Sequence, residues 1–111
     1  MKIYTIIISE EDYDYNKIIH IKSFSNINDA GIYRNNLKIK LDKLHSLETN
    51  LIQFRKTNGM FLYVDYSNTN KQDLALEADR MQLNIDNYIK NNFDFEISMS
   101  CFINMIENDL D

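Results

Sequence analysis

The sequence predicts an α+β fold in a single domain over residues 1–111: a four-stranded sheet carrying two amphipathic helices, in the order ββαβαβ. Three patterns carry this expectation. Two β-branched, aromatic-rich runs open the chain, an apolar stripe at helical spacing fills residues 26–57, and the segment from Phe93 to Cys101 alternates strictly between apolar and polar residues.

Residues 2–9 and 17–24 read as the first two strands, joined by the polar stretch Glu10-Glu11-Asp12-Tyr13-Asp14-Tyr15-Asn16. In the second run Ile19 and Ile21 share a face with Lys17 and Ser23, against Ile18, His20, Lys22 and Phe24 on the other, so neither face is purely apolar. Ser25 stands where an N-cap would accept a hydrogen bond from a free helical N–H. From there Ala30, Tyr33, Leu37, Leu41, Leu44, Leu47, Leu51 and Phe54 recur at intervals of three and four, drawing one stripe to the stop signal Asn58-Gly59. An unbroken helix over 26–57 would be about 48 Å long, against a radius of gyration near 13 Å for a domain of about 100 residues. The expectation is therefore a break near His45-Ser46, or a stripe that packs on a second copy through Leu37, Leu41, Leu44, Leu47, Leu51 and Phe54.

Residues 60–66 read as a third strand, apolar or aromatic on both faces. Leu74, Ala78, Met81, Ile85 and Tyr88 mark a second helix from Lys71 to about Lys90, with Asn70 as its cap. Phe93, Phe95, Ile97, Met99 and Cys101, alternating with Asp94, Glu96, Ser98 and Ser100, give the fourth strand, and residues 102–111 fit either its continuation or a short terminal helix.

Composition narrows the function. A length of 111 residues with 44% hydrophobic residues suits one core without metal or disulfide support. The single cysteine rules out an internal disulfide and a cysteine-rich zinc site. The apolar run at positions 3–8 is too short for a signal peptide, and no stretch approaches a membrane span, so the expected location is the cytoplasm. With glycine only at positions 31 and 59, a glycine-rich phosphate loop is excluded, and no cofactor is expected. Heavy use of Ile and Asn without Trp or Pro tracks an AT-rich genome.

No catalytic constellation emerges. His20 and His45 sit in different elements, and Cys101 falls among apolar neighbours with no base nearby in sequence. Glu10, Glu11, Asp12 and Asp14 lack the spacing, central glycine and distal glutamate of a calcium loop. They flank Tyr13 and Tyr15, a residue type enriched at protein interfaces, so Glu10 through Tyr15 form the candidate partner-binding loop. Charge is uneven: residues 26–58 carry +3 and residues 72–111 carry −7, within a net charge of −5 and a pI near 4.9. That balance argues against direct nucleic-acid binding.

From Ile3 through the Asp/Tyr-rich loop to Phe24-Ser25 and the helix holding Ala30 and Tyr33, the first third resembles the opening of small phage and mobile-element proteins. The resemblance implies a setting in which small acidic α+β proteins bind host proteins, including inhibitors of CRISPR effectors and other defence systems. The expected function is a non-catalytic protein-interaction module, dimeric, with a host or cellular protein as partner. The alternative is a small-ligand sensor or regulatory subunit, with a pocket lined by Tyr63, Tyr66 or His20.

Overall fold

In the computed structural model, residues 1–11, 16–60, 69–98 and 101–109 are described. Their elements run β1 (Lys2–Glu11), β2 (Asn16–Phe24), α1 (Ile27–Thr57), α2 (Thr69–Asn92) and β3 (Cys101–Asp109). The sheet among the described residues has three antiparallel strands in the order β2-β1-β3, not four.

The strand expected over Phe93–Cys101 is not found over its described residues before Cys101. β3 pairs with β1 without interruption from Glu10↔Cys101 to Lys2↔Asp109, which uses the free edge of β1 from Lys2 to Glu10. Among the described residues, 93–98 have no partner in the ladder. Residues 93–98 therefore form no strand, and the tail the sequence left open between strand and helix is the strand. Of the third strand expected over 60–66, Met60 lies outside any strand and is buried, while the remainder falls outside the described residues.

Both helices stand where their apolar periodicity places them. α1 continues through His45-Ser46 without a break: that region holds no Pro or Gly, and Lys43, Leu44, Leu47 and Glu48 are all good helix formers. Its cap is Asn26 rather than Ser25, because Asn26 Oδ1 accepts from the N–H of Asn28 at 2.8 Å and of Asp29 at 3.3 Å. At the other end Gly59 takes φ 69°. The N–H of Gly59 bonds the carbonyl of Lys56 at 3.4 Å and that of Met60 bonds the carbonyl of Arg55 at 2.7 Å. These two bonds make a Schellman motif, with buried Met60 as its apolar clasp.

The chain divides into two compact units, Met1–Asp42 with Phe93–Asp111, and Lys43–Asn92. The first buries Ile6 and Ile8 of β1, Ala30, Leu37 and Leu41 of α1, Phe93 and Cys101. The second buries Leu44, Leu51, Met60, Ala75, Ala78 and Ile85. Each large aliphatic side chain so covered contributes about 1.5–3 kcal/mol.

Candidate functional site

Cross-strand partners project to the same side of a sheet, so the register defines two faces. One holds Ile6 and Ile8 with His20, Lys22 and Phe24 of β2 and Ile103 and Met105 of β3. An aromatic cluster covers the part of this face around Ile8 and His20, while Lys22 and Met105 stay exposed. His20 Nε2 lies 2.7 Å from Tyr33 Oη of α1, and the His20 ring stacks on Phe95 at a centroid distance of 4.3 Å and 10° between planes. Phe24 meets Tyr33 at 5.2 Å, and Phe93 meets Phe95 edge-on at 5.7 Å. The Lys22 ammonium sits 5.0 Å from the Tyr33 ring centre, in cation–π range. Burial, then the nearby Asp94 carboxylate, push the Tyr33 hydroxyl above its ordinary value of 10.0. Phe93 and Phe95, expected in the fourth strand, thus serve this cluster instead.

The opposite face is open. It consists of three cross-strand rows, Ser23–Thr5–Ile106, Ile21–Ile7–Asn104 and Ile18–Ser9–Phe102, with Ile3 and Asn108 as a further pair at one end. Ile18 is 57% exposed, Ile21 53%, Phe102 51% and Ile106 44%. The hydroxyls of Thr5 and Ser23 share one hydrogen bond of 2.9 Å, and Ser9, Asn104 and Asn108 are the other polar side chains of the rows. None of these side chains is ionised, although 26% of the chain is charged. Among the described residues, the nearest charge on this side is Glu11, at the end of β1 beside Asn16.

A β-bulge builds part of this surface. Ile8 pairs with His20 and Ser9 with Ile18, so Ile19 is the extra residue. Strict alternation would put Ile18 on the covered face with His20 and Phe24; the bulge turns it outward beside Ile21. The mixed faces of the second strand in the sequence were the signal of this bulge, and Phe102 and Ile106 became legible only with the register of β3.

The residues singled out from the sequence lie elsewhere. Glu10 pairs with Lys17 at the end of the hairpin and Glu11 is exposed, while Asp12, Tyr13, Asp14 and Tyr15 fall outside the described residues. Leu37, Leu41, Leu44 and Leu51 are buried within the chain and Leu47 and Phe54 half-buried, so the stripe expected to join two copies is occupied by intrachain packing. Of the pocket residues, His20 belongs to the aromatic cluster, and Tyr63 and Tyr66 fall outside the described residues. A cleft of about 470 Å³ that shares Ile18 with the open face is lined by Glu10, Lys17, Ile18, Ile19, Glu96, Ile97 and Ser98.

Among the described residues no group of three or more His, Cys, Asp or Glu comes together in a way that could hold a metal ion, and no helix is long and apolar enough to cross a membrane. Cys101 is buried, its Sγ 3.4 Å from the backbone N–H of Ser98. Comparison with protein-family models, with curated proteins and with solved structures returns no match for this chain.

Proposed function

We propose that the chain is a non-catalytic protein-interaction module whose contact surface is the open face of its sheet. The observation that supports this reading is the grouping of Ile18, Ile21, Phe102 and Ile106, each between 44% and 57% exposed, on one uncharged side of three adjacent strands. Single exposed apolar side chains are ordinary on any protein; a contiguous group without charges between them is the pattern of a binding surface. In the mobile-element setting implied by the first third of the chain, the module is a cytoplasmic inhibitor of a host defence protein such as a CRISPR effector.

Hydroxyl-radical footprinting tests the reading. Labelling of Phe102 and Ile106 is compared in dilute pure protein, in concentrated pure protein and in bacterial extract. Protection of both in either of the last two conditions supports a protein contact; equal labelling in all three contradicts it.

The cleft beside Glu10, Lys17, Glu96 and Ser98 favours a second reading, a small-ligand sensor, because its volume falls in the range of ligand sites and carboxylate, ammonium and hydroxyl groups converge on an isoleucine wall. A screen of small amines and amino acids by thermal shift, with Glu96→Gln as comparison, decides it: a shift lost in the variant supports a ligand site, and no shift removes it.

A further inference from the structure

We propose that the cleft beside the first residues of β2 binds a small aliphatic zwitterion, a free amino acid or a dipeptide with apolar side chains. This rests on the reading of the cleft as a ligand site and names the chemistry of the ligand.

The walls are held in place before any ligand arrives. One is β2 from Lys17 to Ile19, with Glu10 as the cross-strand partner of Lys17; the other is the segment Glu96-Ile97-Ser98. The second wall is pinned at both ends. Phe95, immediately before it, stacks on His20, and the carbonyl of Ser98 accepts the N–H of Cys101 at 3.3 Å, where β3 begins. The first wall is shaped by the β-bulge, since Ile19 is its extra residue. A bulge releases a residue from the ladder and re-aims its side chain, which is why bulges gather beside binding and active sites. Walls fixed in this way lose little to ordering when a ligand enters.

Charge selects the ligand. Lys17 brings an ammonium and Glu96 a carboxylate to the lining, both exposed. Among the described residues neither has a hydrogen bond or an ion pair, with the other or with a third group. Opposite charges that line one cleft without meeting suit a molecule that carries both signs, its carboxylate at Lys17 and its ammonium at Glu96. Glu10 adds a second negative charge, so an anion without an ammonium suits the lining least. Ile18, Ile19 and Ile97 supply the aliphatic surface against which a hydrocarbon side chain is removed from water. The volume of about 470 Å³ lies within the range of small-molecule sites, which begins at about 300 Å³. Because both charged side chains are exposed, each ion pair adds only a few-fold in affinity, and binding belongs to the millimolar range.

Methyl NMR titration of the full chain tests the inference with three probes built on one carbon skeleton. They are leucine, isoamylamine, which lacks the carboxylate, and isocaproate, which lacks the ammonium. Leucine should shift the Ile19 and Ile97 methyls saturably, leave Ile106 unmoved, and bind about threefold or more tighter than either truncated probe. Lys17→Gln should erase its advantage over isoamylamine, and Glu96→Gln its advantage over isocaproate. Each variant is read as a ratio of two affinities on the same protein, so a disturbed fold that weakens every probe alike is told apart from the loss of one contact. Leucyl-leucine in the same titration tells the dipeptide from the free amino acid by which of the two binds tighter.

Leucine no tighter than isoamylamine overturns the inference, as does a preference that both variants leave intact; shifts at Ile19 and Ile97 would then keep the cleft as a ligand site for another chemistry. Unmoved Ile19 and Ile97 methyls with every probe remove both.

Discussion

Nε2 of His20 and Oη of Tyr33 share a hydrogen bond of 2.7 Å, joining edge strand β2 to helix α1. The bond and the Phe95 ring stacked on His20 cover part of one face of the sheet and leave the other free. Tyr33→Phe keeps the ring contacts and deletes the bond, so it should cost about 1 kcal/mol in urea unfolding. An unchanged midpoint would mean that the bond adds nothing to stability.

The same hydroxyl makes stability depend on alkaline pH. Burial and Asp94 raise the Tyr33 value above 10.0 in the folded chain. Its contribution is therefore full below about pH 10 and is lost as pH rises through the raised value. Melting temperature measured from about pH 8 to about pH 11, which spans the ordinary tyrosine value, should fall less steeply for Tyr33→Phe than for the wild type. Parallel curves would contradict this assignment.

Glu48 on α1 gives the acid counterpart. Burial raises its carboxyl above the ordinary 4.5, with His45 opposing the shift. A raised carboxyl favours the folded state while protonated and loses that contribution as pH rises through the folded value. Glu48→Gln should therefore be more stable than wild type at neutral pH, and the advantage should vanish below about pH 4. Equal stability at both pH values would show that Glu48 is solvated.

The end of α1 is set by one backbone conformation. Gly59 at φ 69° occupies the left-handed region, where an added Cβ costs about 1 kcal/mol. Gly59→Ala should lose about that much, read by thermal unfolding; Asn26→Ala, which removes the cap at the other end, should lose a similar amount.

Much of this fold was legible because helical signals are local. The spacing from Ala30 to Phe54 and from Leu74 to Tyr88 depends on 3.6 residues per turn and needs no knowledge of neighbours. Strand signals are different. Phe93, Phe95 and Ile97 alternate as a strand does, yet a strand exists only where a ladder partner exists, and among the described residues 93–98 have none. Capping was ambiguous for a related reason: Ser25 and Asn26 both suit the role, and the position of the first helical N–H groups chooses between them. The candidate site was the least legible part. Ile18 and Ile21 share a face only through the bulge at Ile19, and Phe102 and Ile106 join them only through the register of β3. The leucine stripe, in contrast, was read correctly as a stripe, although its side chains turn out to be covered within the chain.

The open face can be watched directly through isoleucine methyl groups. A soluble paramagnetic chelate broadens methyls in proportion to their exposure, and Ile18, Ile21 and Ile106 on the sheet can be compared with Ile32 and Ile39 on α1, which are 61% and 67% exposed. If the sheet face is a protein contact, the sheet methyls lose their broadening when the labelled chain is placed in bacterial extract while the helix methyls keep theirs. Equal broadening of both sets with and without extract would contradict it.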